Sequence, residues 1–411
     1  MTAPGRPEGP LLVHGTGKEL VPPDWPPLED AEAQAVLAAC FGRDAAAARV
    51  AWRSPRPLSA AGLVEVAGRL VFLKRHHLRV RTPRQLLAEH ALARHLAGRA
   101  QAAHLPIGVP AVLAPPLRRG PWAYEVHAQA RGFDLYRDEP SWSPFHSLGH
   151  AWAAGAALAR FHLATAGFGA PERPFGVLVG SCALVRVPEP LPVLAAWARQ
   201  RPGLARALAP YPWEDDFERH VLPAARLAAA ALAPLEPAWA HCDWHPSNLT
   251  WASEAPGAQV VQVIDLGLAN RTYAAHDLAT AIERSAVPWL DLSPGPAPGA
   301  ATGPAPGPRT GLGTSPAVEA DLDVVDALVD GYESVRPLAP AEHQALVAVL
   351  PVAHVEYALS ELEYYADVVG SAANADAAYH TYLLGHLAWF AGPDGQVLLA
   401  HLHRRAARPS R

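Results

Sequence analysis

The chain has 411 residues, with 34 Lys+Arg against 39 Asp+Glu, a formal net charge of -5, half its residues apolar and 18% charged. That near-balance supplies no broad basic field for nucleic acid or an anionic membrane, so any anion site must be local. The length exceeds one average core and suits two lobes. Three scattered cysteines, Cys40, Cys182 and Cys242, exclude a disulfide framework or a paired-cysteine metal site. With no signal-peptide core in residues 1–10 and no long unbroken apolar run, the chain reads as cytoplasmic.

In chain order, residues 1–25 are rich in Pro and Gly and read as a flexible N-terminal arm, and residues 29–41 as a short helix. Strands are expected at residues 49–53, 63–66 and 70–74, the last two flanking an Ala67-Gly68 hairpin turn. Alternation along the second of these puts Leu70, Phe72 and Lys74 on one face. Residues 83–96 read as a helix with Pro83 near its first turn, and helical spacing groups Gln85, Glu89, Leu92 and Leu96. Glu89 then sits at the margin of a buried stripe and needs a partner. Lys74 on the adjacent sheet is the candidate; the alternatives are a solvated Glu89 and an edge lysine whose stem covers the sheet.

Further strands are expected at residues 109–113 and 123–130, and the pattern turns helical after Gly132. The division is therefore 26–130 for a small, sheet-based first lobe and 131–400 for a larger helical one. Core helices are expected at residues 148–166, 191–199 and 217–233, and again over 318–332, 341–350, 352–368 and 375–390. Residues 292–317 are almost wholly Pro, Gly, Ala, Ser and Thr and read as a flexible insertion.

Between the helical stretches stands His241-Cys242-Asp243-Trp244-His245-Pro246-Ser247-Asn248, then Leu249 to Trp251 and Val260 to Ile264 as two short strands, with Asp265 just beyond. The pattern His241-x-Asp243-x-x-x-x-Asn248, with Asp265 after a β run, resembles the aminoglycoside phosphotransferase and choline kinase group of the protein-kinase-like superfamily, including its bacterial homoserine-kinase-like branch. The resemblance covers about residues 45–390. It implies an α+β, bilobal protein-kinase-like fold, with a small antiparallel-sheet N-lobe and a mainly helical C-lobe.

It also implies ATP- and Mg²⁺-dependent transfer of the terminal phosphoryl to a hydroxyl of a small molecule. Asp243 would orient that hydroxyl, with His241 holding the loop. Asn248 and Asp265 would be the metal ligands, hard oxygen donors for a hard ion. Lys74 would hold phosphates and Glu89 would hold Lys74. The 55–62 segment has one glycine, at Gly62, where protein kinases have several, so Ser59 is expected to assist backbone N–H groups at the nucleotide. Cys242 stands where many members carry glycine. Loss of Asp243 or Asp265 is expected to cost catalysis far more than stability.

The acceptor is expected on the C-lobe, where Glu356, Glu361, Glu363 and Asp367 either receive a cation or solvate a helix face. Tyr357, Tyr364 and Tyr365 line a cleft or fill the core, and Arg131 and Arg137 leave anionic acceptors open. Two other functions fit parts of the pattern: a noncatalytic nucleotide-binding protein of the same fold, and a metal-dependent hydrolase built on His241, Asp243, His245 and Asp265. A monomer or a homodimer suits either.

Overall fold

The structure is a computed structural model that describes residues 11–42, 47–103, 107–292 and 318–407. Residues 1–10 and 293–317, which hold parts of the expected arm and insertion, lie outside the described residues. Within the described part of that arm, strands β1 (Val13–His14) and β2 (Leu20–Val21) pair as a hairpin. This departs from a loose arm. His14 N–H donates to Pro55 O at 2.9 Å, Lys18 pairs with Asp291, and Tyr364 OH donates to Asp24 at 2.9 Å. Trp25 stacks on His77, 5.0 Å between centroids.

The first lobe is a five-stranded antiparallel sheet. Its strands are β3 (Arg49–Arg53), β4 (Ala60–Val66), β5 (Arg69–His77), β6 (Leu117–Arg119) and β7 (Trp122–Ala128), in spatial order β3-β4-β5-β7-β6. Ala67 and Gly68, between β4 and β5, have φ of 49° and 71°, the positive values a tight hairpin turn needs. Helix α1 (Asp30–Phe41) buries Ala33, Val36 and Leu37 against Val64, Val71, Leu73, Tyr124 and Val126. The core face of β5 is therefore Val71 and Leu73. Leu70, Phe72 and Lys74 share the opposite face, so Lys74 looks into the cleft rather than into the lobe core.

The strand expected at 109–113 is reduced to isolated bridges, Gly108 to Gln262 and Val112 to His127. Pro110 has no N–H to offer a ladder there. The same segment ties the lobes together, because Val263 N–H donates to Gly108 O at 2.9 Å and Arg131 N–H to Gln262 at 2.6 Å.

The second lobe is mainly helical. Helix α3 (Leu148–Thr165) is buried along most of its length and crosses the helix Leu322–Glu333 closely. A Cβ on Gly155 would meet Leu328 O at 2.0 Å, and one on Gly331 would meet Trp152 O at 2.0 Å, so both crossings require glycine. Two small pairs, β8 (Ala238–Ala240) with β11 (Asn270–Thr272) and β9 (Leu249–Trp251) with β10 (Val260–Val263), carry the loops facing the first lobe. The helical stretch Pro340–Val369 is long and apolar enough to cross a membrane, but 83% of its apolar window is buried inside the protein, as a core helix would be. The bilobal α+β protein-kinase-like architecture is the one observed.

Candidate active site

Two hairpin-like units set the site. Between β8 and β9 the chain turns sharply at Cys242 (φ 61°), and after β10 it turns again at Asp265 (φ 55°). Left-handed backbone is costly for residues with a Cβ and persists where surroundings hold it. At the first turn the holder is Asp277, fully buried in the first turn of the helix Ala274–Ala286. Its carboxylate accepts His241 N–H at 2.7 Å and Cys242 N–H at 2.8 Å, and also contacts His162 Nε2 at 2.9 Å. At the second turn, Gly267 N–H donates to Asp265 at 3.2 Å and the His241 ring nitrogen Nε2 lies 3.0 Å from Ile264 O. His241 thus couples the two loops. It is fully buried and stands outside the cavity wall.

Ser59, Lys74, Asp243, Asn248 and Asp265 line one cavity between the lobes. Lys74 Nζ lies 2.9 Å from Asp265 Oδ2. Burial works against both charges, but each offsets the other: Asp265 is held down to about 2, chiefly by Lys74, and Asp265 and Glu125 keep Lys74 above its ordinary value. Asn248 Nδ2 donates to Asp243 O at 2.9 Å and to Asp243 Oδ2 at 3.1 Å. His245 Nε2 lies 3.4 Å from Asp243 Oδ1; burial, with Arg56 adding to it, lowers this imidazole to about 3, so it is neutral near pH 7.

Glu89 is elsewhere. It projects from α2 (Pro83–Ala103) onto Arg81 Nε at 2.8 Å and Arg173 Nη2 at 2.6 Å. The Lys74–Glu89 pair expected from sequence does not form, because two guanidinium groups claim the carboxylate and Asp265 claims the lysine. Both arginines reach on to the turn after Asp265: Arg81 donates to Gly267 O at 2.8 Å, and Arg173 to Gly267 O at 2.9 Å and Ala269 O at 2.8 Å. Glu89 therefore braces the Asp265 loop. The cross-strand neighbour of Lys74 is Glu125, which contacts His76, His90 and His127.

The least expected contact is at Asp243, whose carboxylate is paired with Arg284. Arg284 is 2% exposed and lies under Trp142 and Tyr357, 5.2 and 4.5 Å from their ring centroids. It follows Asp277 by seven residues, two helical turns, so one helix face holds both the backbone and a side chain of the 241–243 segment. That spacing was the available signal. Arg56 was also missed; it lines the cavity and donates to Tyr136 O at 3.3 Å and to Glu139 O.

The C-lobe acids are not a solvated face. Glu356 accepts from Leu184 N–H at 2.7 Å, Glu363 pairs with Arg201, and Asp367 with Arg79 and Arg206. Glu361 lines the cavity with Tyr357 and Tyr365, and its buried Oε2 has no hydrogen-bond partner. The hydrolase cluster does not assemble: His241 is spent on Ile264 O, and the His/Asp/Glu groups of metal-binding spacing among the described residues are at other places.

The profile of the phosphotransferase enzyme family matches residues 62–312. No curated protein matches the chain. Among solved structures, the microcompartment-associated aminopropanol kinase is 17% identical, with 90% of this chain and 97% of that one covered and a TM-score of 0.51. The aminoglycoside phosphotransferase of Alicyclobacillus acidocaldarius is 18% identical, covering 87% and 92%, with a TM-score of 0.46. Spectinomycin phosphotransferase, solved with ADP and spectinomycin, is 10% identical, covering 92% and 98%, with a TM-score of 0.46. With the family profile spanning more than half of its length, the chain belongs to the phosphotransferase enzyme family and carries that family's kinase-like chemistry in general terms.

Proposed function

We propose that the protein is an ATP- and Mg²⁺-dependent kinase that phosphorylates a hydroxyl of a small cationic molecule. The observation that carries the reading is the Lys74–Asp265 contact of 2.9 Å on the same cavity as Asp243 and Asn248. Lys74, Arg56 and Ser59 supply charge and donors for phosphate oxygens. Asp265 and Asn248 offer carboxylate and amide oxygens, the donor types that suit Mg²⁺, which when bound neutralises charge on the transferring phosphoryl. Asp243, held by Asn248 and Arg284, accepts a hydrogen bond from the acceptor hydroxyl and takes its proton late, a task an ionised carboxylate performs without a raised pKa.

Glu361 supports the cationic acceptor. Its Oε2 is buried at the cavity wall without a hydrogen-bond partner, beside the aromatic rings of Tyr357 and Tyr365. An ammonium group satisfies such an acid and tolerates aromatic walls.

The test is a phosphorylation screen with ATP and Mg²⁺ against amino alcohols, hydroxy amino acids, neutral sugars and aminoglycosides, with Asp243→Asn as control. Phosphate on a cationic alcohol only with intact Asp243 is expected. Turnover confined to neutral or anionic alcohols removes the cationic acceptor. ATP binding without any turnover favours a noncatalytic nucleotide-binding protein.

A further inference from the structure

Behind Arg284 the same helix carries Glu283, 1% exposed, toward two histidines from other segments, His354 and His386, each about 4% exposed or less. Glu283 Oε1 lies 3.0 Å from His386 Nδ1 and 3.3 Å from His354 Nδ1, and the two rings are 4.4 Å apart. These are hydrogen-bond distances, yet none of the three atoms makes a well-directed hydrogen bond. Their directions are wrong for sharing a proton pairwise.

The second His–Glu group of the molecule shows the contrast. There Glu125 meets His76, His90 and His127 at 2.9, 3.3 and 2.9 Å in well-directed hydrogen bonds, a satisfied acceptor that needs no ion. Buried polar atoms left without partners are costly and point to a missing group. For a divalent ion about 2.0–2.1 Å from each ligand in tetrahedral geometry, neighbouring ligand atoms stand roughly 3.3 Å apart. The two distances from Glu283 to its histidines, 3.3 and 3.0 Å, match that spacing, and the three ligand atoms all lie within 4.8 Å of one another.

We propose that Glu283 Oε1, His354 Nδ1 and His386 Nδ1 bind a structural zinc ion, with the fourth position closed by solvent. Two imidazole nitrogens and one carboxylate suit this borderline ion better than Mg²⁺, which takes oxygen. Neighbouring groups orient the ligands. Trp289 stacks on His386 at 3.6 Å and donates its Nε1–H to Glu283 O at 2.7 Å, and Trp142 meets His354 edge-on at 5.4 Å. The site fixes three segments at one point, among them the helix end that carries Arg284 to Asp243. It does not depend on the kinase reading.

The test uses tag-free full-length protein purified without chelators. Metal analysis after gel filtration is expected to give about one zinc per chain, falling about tenfold or more in the His354→Gln/His386→Gln double variant, while its elution volume and far-UV circular dichroism are kept. Should the variant not fold, cobalt added to chelator-treated wild type decides: a saturable visible ligand-field spectrum of a non-octahedral site, displaced by zinc, is expected. Absence of both retained zinc and that spectrum overturns the proposal, as does zinc retained equally by a folded double variant.

Discussion

Glu89 lies 2.6 Å from Arg173, which in turn reaches Gly267 O in the turn after Asp265. With Arg81 also on it, this buried carboxylate neutralises two guanidinium groups that hold Gly267 O. Glu89→Gln leaves both charges poorly compensated and should cost about 3–5 kcal/mol in urea unfolding. Had Glu89 served only to hold Lys74, the variant would raise the KM for ATP at unchanged stability. That outcome would reverse the assignment.

Asp243→Asn should lose activity by about 10²–10⁴-fold, with ADP affinity nearly kept. It should also lose stability, because Arg284 stays buried without its counter-ion. The sequence alone sets the cost in catalysis far above the cost in stability; the buried Arg284 makes the second cost substantial as well. Paired measurements of kcat and the denaturation midpoint check it; an unchanged midpoint removes the structural role of the Asp243–Arg284 pair.

Asp265→Asn should behave differently. Its side chain is 39% exposed to the cleft, so the loss of its contact with Lys74 is softened by solvent, while on the proposed reading the nucleotide loses a metal ligand. Isothermal titration should show much weaker ATP binding in Mg²⁺ and a thermal midpoint close to wild type.

The turn at Cys242 can be tested through its neighbour. A Cβ on Gly180 would stand 2.4 Å from Leu268 O and 2.5 Å from Cys242 Cβ. Gly180→Ala must therefore displace one of the two loops that meet there and should cost about 1–3 kcal/mol together with kcat. Cys242→Gly removes one of the two obstructing atoms and suits φ of 61°, so the double variant should regain part of both. Additive losses would show that the two positions do not meet.

In metal-free protein, burial lifts the Glu361 carboxyl from 4.5 to about 8, with Arg284 and Tyr357 opposing the rise and Glu283 adding to it. Between those two pH values the folded chain holds a proton that the unfolded chain has released, so stability falls as pH rises through about 8. Binding of a cationic acceptor should follow the opposite course, tightening as Glu361 ionises. Glu361→Gln should flatten both profiles, measured by thermal unfolding and calorimetric titration. A wild-type binding profile that is flat across this range would separate Glu361 from acceptor recognition.

Much of the site was legible because its residues are close in sequence. Asp243, Asn248 and Asp265 lie within one strand-and-loop unit whose spacing carries the family resemblance, and strand alternation gave the face that Lys74 shares with Leu70 and Phe72. The alternation was right about which residues share a face and silent about which face is the core; α1 decided that by covering Val71 and Leu73. Glu89 was found as a buried acid in need of a partner. Its partner was misassigned because Arg173 is remote in sequence and wins by proximity and by its forked geometry.

The sequence by itself determined the two-lobe division, the central strands and the main helices, and the set of oxygen-bearing side chains near residues 241–265. Local periodicity and turn chemistry act over a few residues and can be read without coordinates. Only the tertiary structure decided that Arg284 attends Asp243, that Glu89 braces the Asp265 turn, that Glu361 reaches the cavity and that Glu283 meets His354 and His386. Each of these depends on helices far apart in the chain packing at one point, where burial makes the choice of partner expensive to change and one pairing excludes another.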